Sequence, residues 1–155
     1  MIAAIDIADD AWTRVADLEG LTGRAIAAAL DHARAGGNVE VSVLFAGDAE
    51  AARLNAEWRR KDYAPNVLSF PAPRRRDVPD GEPTPLGDLV LAAGTVAREA
   101  DEQGKPLTSH LTHLIVHGTL HLLGFDHLEE RDAARMEAAE IAILAGLGLP
   151  DPYSS

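Results

Sequence analysis

Three histidines constrain this chain more than any other feature. His117, His121 and His127 fall within His117-Gly118-Thr119-Leu120-His121-Leu122-Leu123-Gly124-Phe125-Asp126-His127. On a helix, four residues are a rotation of about 40° past one turn and a rise of about 6 Å. His117 and His121 therefore leave the same face. Gly124 follows three residues later, where a helix that must stop needs a residue comfortable at positive φ. The chain then reverses, and His127 can return toward the first two. Neutral imidazole is the commonest metal-binding side chain. Three protein nitrogens with one open position is the pattern of a catalytic zinc site, whereas structural zinc is closed by four protein ligands, mostly thiolates. This chain has no cysteine. The expectation is one zinc ion held by His117, His121 and His127, on a helix and the turn after it.

Five of the six histidines lie between positions 110 and 127, so other sets compete. His113, His117 and His121 share a helical face. Their outer members, however, are separated by about 12 Å of rise, while two nitrogens on one zinc lie within about 4 Å of each other. His113 can pair with His117 alone, but Gly124 is then unexplained. His110 and His113 are expected to line the approach or, more readily, to face solvent. The spacing 117, 121, 124, 127 is also that of the metzincin proteases, H-E-x-x-H-x-x-G-x-x-H. Their glutamate, the general base, is replaced here by Gly118. A glycine inside a helix costs about 1 kcal/mol relative to alanine. Open space beside the metal for a bulky substrate is the expected reason for it, and peptide hydrolysis is demoted.

At 155 residues and 46% hydrophobic, the chain has length enough for a real core and reads as one domain, 1–155. It has no run of 18 apolar residues and so no expected membrane span. Its first residues, Met1-Ile2-Ala3-Ala4-Ile5-Asp6, lack the basic start of a secretory signal. A cytoplasmic location follows by default. The net charge of −11 is unfavourable for nucleic acid taken as a sum. Its distribution is not. Residues 53–76 carry seven basic side chains (Arg53, Arg59, Arg60, Lys61, Arg74, Arg75 and Arg76) against Glu57 and Asp62. The remainder holds seven basic and 23 acidic residues. That window is either a solvated surface segment or a strip that faces phosphates.

The chain alternates elements without repeats. Residues 2–7 read as a strand, and Leu18–Ala35 as a helix closed by Gly36-Gly37. Val39–Phe45 alternates as a strand. Asp48 is expected to cap a helix running to about Arg59, with Leu54 and Trp58 on its inner face. Val67–Phe70 is a strand, Pro71–Gly87 a proline-rich loop, and Asp88–Ala92 another strand. Helices are expected from Thr95 to about Gln103, from Thr108 or Ser109 through the histidines, and from Glu129 to about Ala145, closed by Gly146. The fold class is α+β: a small mixed sheet of about four strands packed with about five helices.

The run His113-Leu114-Ile115-Val116-His117 through His127 closely resembles the signature of the YbeY family of bacterial rRNA-maturation endoribonucleases. Leu54-Asn55-Ala56-Glu57-Trp58-Arg59-Arg60-Lys61-Asp62 followed by Asn66-Val67-Leu68-Ser69-Phe70-Pro71 is similar to a second block of that family. Gly87-Asp88-Leu89-Val90-Leu91 is similar to a third, and the ending Leu147-Gly148-Leu149-Pro150-Asp151-Pro152-Tyr153 also fits. The block before Val67, often Pro-Thr-Asp or Pro-Thr-Asn in the family, is Ala64-Pro65-Asn66 here.

The resemblance implies a zinc-dependent endoribonuclease specific for single-stranded RNA. Its work would be in ribosomal RNA processing, including 16S 3′-end maturation, and in ribosome quality control. The ribosome or its small subunit would be a partner, and no membrane is implied. It places the metal ligands on His117, His121 and His127, and the catalytic arginine on Arg59. Asp126 either orients a ligand or caps the turn. The attacking group is either metal hydroxide or the ribose 2′-hydroxyl, and the residues do not choose between them. Two other classes stand beside this one: a small zinc metallopeptidase-like hydrolase, and a ribosome-associated binding factor with a structural zinc. Oligomeric state is not legible.

Overall fold

The computed structural model describes residues 3–35, 37–61, 63–73, 78–126 and 129–154. Four strands, β1 (Ala3–Ile7), β2 (Val39–Ala46), β3 (Val67–Pro71) and β4 (Thr84–Ala92), form one sheet in the order β1-β2-β4-β3. β1, β2 and β4 run parallel, and β3 pairs antiparallel with β4 at the edge. Five helices accompany it: α1 (Leu18–His32), α2 (Asp48–Arg59), α3 (Ala93–Glu102), α4 (Leu107–Leu122) and α5 (Glu130–Gly146). The mixed sheet and the helix count are those expected of an α+β chain.

Alternation within the strands sorts the side chains onto two faces. Val41, Val43, Phe45, Leu89 and Leu91 belong to the main core with residues of α1, α4 and α5. Leu44, Ala46, Leu68, Phe70, Val90 and Ala92 face the other way, toward Ala51 and Leu54 of α2. α2 covers only part of that second face. Trp58, expected on its inner side, therefore projects past the covered region and is 67% exposed.

Helix α4 is the pivot. From His110 to Leu122 every residue is buried except His113, His117 and His121. A helix apolar nearly all round is one enclosed by its own protein, and the four-residue spacing leaves a single stripe, carrying imidazoles, at the surface.

Several boundaries differ from the sequence expectation for identifiable reasons. β4 begins at Thr84, not Asp88, because an irregularity in its pairing with β2 lets Leu86 go unopposed: Glu40 pairs with Pro85 and Val41 with Gly87. Asp48 does not cap its own helix. Its carboxylate accepts from the backbone N–H of Thr95 (3.0 Å) and from the Thr95 hydroxyl (3.1 Å), serving the first turn of α3 instead. α4 starts at Leu107, behind Pro106 at its N-cap. A 3-10 turn at Asp10–Arg14, passed over by periodicity, is capped by the Asp9 carboxylate and buries Trp12, whose indole N–H donates to Ala46 O at 2.8 Å. Among the described residues, no helix is long and apolar enough to cross a membrane.

Candidate metal centre

The imidazole stripe of α4 rests on a buried carboxylate supplied by α5. Glu140 has no solvent exposure. Its Oε1 lies 2.9 Å from His113 Nε2 and 2.8 Å from His117 Nδ1, while Oε2 accepts a 2.7 Å hydrogen bond from the Tyr153 hydroxyl. Burial works against ionisation of such a group. The hydrogen bonds from His113, His117 and Tyr153, with the charge of His117, outweigh it and hold the Glu140 carboxyl down at about 2. Burial and the adjacent Glu140 push the Tyr153 phenol well above its usual range. An ionised carboxylate only accepts. Both imidazoles must then present N–H to Oε1, and His117, in its neutral form, keeps its lone pair on Nε2, the opposite ring nitrogen.

That is the tautomer a metal ligand requires. Histidines that bind metals almost always donate their other N–H to a carboxylate, carbonyl or water, which fixes the ring and raises its basicity. His121 lies one turn on, its ring centroid 4.9 Å from that of His117 and nearly perpendicular to it. His127, expected as the third ligand, lies outside the described residues. Within the described residues another grouping is also possible: ligand atoms of His113, His117 and Glu140 all lie within 4.8 Å of one another. Their 2.8–2.9 Å contacts are hydrogen-bond lengths. Ligand atoms sharing a tetrahedral zinc at about 2.1 Å would stand about 3.4 Å apart.

His117 and His121 line a cleft of about 470 Å³ together with Arg59, Ser69, Pro71 and Asp126. The structure thus brings Arg59, from the last turn of α2, to the same opening as two of the three expected ligands. Arg59 donates to Ser69 O at 2.7 Å, and its guanidinium carbon lies 5.7 Å from the centre of the Phe70 ring. Asn66 also borders the cleft. Its amide donates to Glu99, which also accepts from His110 Nε2 at 2.9 Å. The Ala64-Pro65-Asn66 departure therefore leaves a well-anchored loop.

Two expectations are corrected here. His110 and His113 do not face solvent: His110 is 4% exposed and the His113 side chain 13%. Glu99 and Glu140 supply the partners that make their burial affordable. Nor does Gly118 open space for substrate. A Cβ there would lie 2.8 Å from Leu89 Cδ2 and 3.2 Å from Ser69 Oγ, so glycine lets α4 press close to the sheet. Sequence reasoning missed Glu140 and gave Tyr153, read only as part of the C-terminal block, no role at the site. The signal for Glu140 was present: it is the lone acid on the buried stripe Met136, Ala139, Ile143 and Leu144. Of the basic strip, Arg53 is paired with Glu57 at 3.1 Å, and Arg74, Arg75 and Arg76 lie outside the described residues.

Fold and cleft define a class: an α+β protein whose central helix offers carboxylate-supported imidazoles beside an arginine. The sequence profile of the family described as Endoribonuclease YbeY matches residues 5–148. An endoribonuclease YbeY from Dinoroseobacter shibae is 52% identical over 169 residues, covering 99% of this chain and 92% of that protein. One from Rhodopseudomonas palustris is 50% identical over 146 residues, covering 94% and 77%. The chain belongs to the YbeY endoribonuclease family. The solution structure of TM1509 from Thermotoga maritima shares the fold, with a TM-score of 0.59 at 21% identity over 99% of this chain and 100% of that one.

Proposed function

We propose that residues 1–155 act as one zinc-dependent endoribonuclease domain that cuts single-stranded RNA during ribosomal RNA processing, including 16S 3′-end maturation, and in ribosome quality control. His117, His121 and His127 hold the zinc, and Arg59 faces the phosphate. The observation that carries this reading is the hydrogen bond from His117 Nδ1 to Glu140, which supports the tautomer that an Nε2 ligand needs, in a cleft shared with His121 and Arg59. Zinc, when bound, supplies a Lewis acid and lowers the pKa of bound water to about 7.

The chain's own residues supply the rest. Arg59, planar and always charged, is tied back to Ser69 O and presents its remaining N–H groups to an anion. There it stabilises negative charge that grows on the phosphate in the transition state. Glu140 orients His117 and takes no part in proton transfer to substrate. Gly118 disfavours the peptidase alternative, since the position at which a protease carries its glutamate is pressed against Leu89.

The test is metal analysis of the purified protein beside an RNA cleavage assay on wild type, His121→Ala and Arg59→Ala. Wild type should carry about one zinc and cut single-stranded RNA. His121→Ala should lose both while remaining folded, and Arg59→Ala should keep zinc and fold but lose cleavage by about 10²-fold or more. Full cleavage by a metal-free sample would overturn the reading. Unfolding of His121→Ala would favour a structural zinc in a ribosome-binding factor.

A further inference from the structure

We infer that the C-terminal tail completes the metal centre, with Tyr153 a positioning residue whose hydroxyl, through Glu140, holds His117 in the orientation and tautomer that ligation needs. The inference rests on the zinc reading above and extends it to a segment well outside the histidine motif.

Glu140 Oε1 already serves two imidazoles, at 2.9 and 2.8 Å. Its second oxygen is met by the Tyr153 hydroxyl at 2.7 Å. A carboxylate anchored at one oxygen only can turn about the bond to its own carbon and carry Oε1 away from His117. Anchored at both, it cannot. Tyr153 is 48% exposed, yet its hydroxyl donates to a fully buried acid. Its ring stands edge-on to His113, 5.5 Å between centroids at 86°, bracing the second imidazole on the same oxygen.

The tail is itself held for this purpose. Lys105, just before α4, donates to Pro152 O at 2.6 Å. The Asp151 carboxylate accepts from Tyr153 N at 2.8 Å, forming the turn that aims the ring back toward α5. Three parts of the chain, the α3–α4 connection, α5 and the C-terminal segment, thereby converge on one imidazole of α4.

The test compares wild type, Tyr153→Phe and Glu140→Gln by three measurements. These are zinc affinity by competition with a chromophoric chelator, the visible absorption of the cobalt-loaded protein, and the melting temperature of the metal-free protein. Tyr153→Phe keeps the ring and removes only the hydroxyl. It should melt within a few degrees of wild type when metal-free, bind zinc about tenfold more weakly, and show a shifted cobalt band. Glu140→Gln should weaken zinc binding further, toward about a hundredfold. If Glu140→Gln does not fold, Tyr153→Phe decides alone. Wild-type affinity and an unchanged cobalt band in Tyr153→Phe would overturn the positioning role while leaving the zinc reading intact. So would a loss of metal-free stability as large as the loss in affinity. A wild type that takes up no zinc would defeat both.

Discussion

Gly118 sits where α4 presses against the sheet, and the atoms around it decide what a methyl group would do. Alanine is favoured over glycine in a helix by about 1 kcal/mol. Its Cβ, however, would lie 2.8 Å from Leu89 Cδ2, and Leu89 is fully buried. Forcing extra volume into a packed core costs about 1–3 kcal/mol. Gly118→Ala should therefore destabilise by about 1 kcal/mol net, read as a lower urea midpoint with an unchanged slope. A midpoint at or above wild type would show that Leu89 gives way. Glu140 makes a second prediction at this scale. Its carboxyl is held at about 2 in the fold, against an ordinary value of 4.5. A depressed acid contributes stability that is whole above pH 4.5 and drains away as pH falls toward 2. That contribution is on the order of 3 kcal/mol. The stability gap between wild type and Glu140→Gln should narrow progressively below pH 4.5; a gap unchanged at pH 3 would contradict the pairing. His117 and His121 were legible in the sequence because their spacing has a helical meaning. The burial of Glu140 could be read from the apolar stripe of its helix, but its partner could not, because the contact with His117 spans 23 residues and periodicity speaks only within one helix.

At the scale of elements, α3 owes its first turn to a residue from another helix. Asp48 accepts from Thr95 N and Oγ1, leaving the start of α2 behind Gly47 without a side-chain cap. Losing a cap of this kind costs about 1 kcal/mol, up to about 2. Asp48→Ala should lower the melting temperature by a few degrees, and Asp48→Asn, which keeps an acceptor, by less. Equal losses would mean that charge, not the hydrogen bond, is what α3 uses. From sequence, Asp48 is an ordinary N-cap candidate, and only the neighbouring of α2 and α3 redirects it. The start of β4 hid for a related reason. Pro85 reads as loop, yet the register shift that leaves Leu86 unopposed accommodates it within a strand paired to β2. Trp58 was misplaced because its four-residue spacing from Leu54 says which face it shares, not how far the sheet beneath extends.

For the whole molecule, alternating patterns sufficed to give the class, a mixed sheet with five helices. The strand order β1-β2-β4-β3 was beyond them, since pairing between distant strands leaves no local mark. Among the described basic residues of the window 53–76, Arg59 is the one that lines the cleft. A metal that binds only the folded state stabilises it by mass action, about 2.7 kcal/mol when free ion is a hundred times its dissociation constant. In a chain of this length, each kcal/mol moves the melting temperature by roughly 2–4 °C. Stripping with a chelator should therefore lower melting by about 5–10 °C, restored by added zinc. Indifference to the chelator would argue against a tightly held ion.

The enclosure of α4 has a genetic consequence. Because core side chains hold that helix over nearly its whole girth, the placement of its imidazole stripe beside Arg59 depends on buried leucines and valines that do not line the cleft. Alleles that trim those buried apolar residues should lower stability by about 2–5 kcal/mol and displace the imidazoles together, so a defect in the cleft can originate at positions that line no part of it.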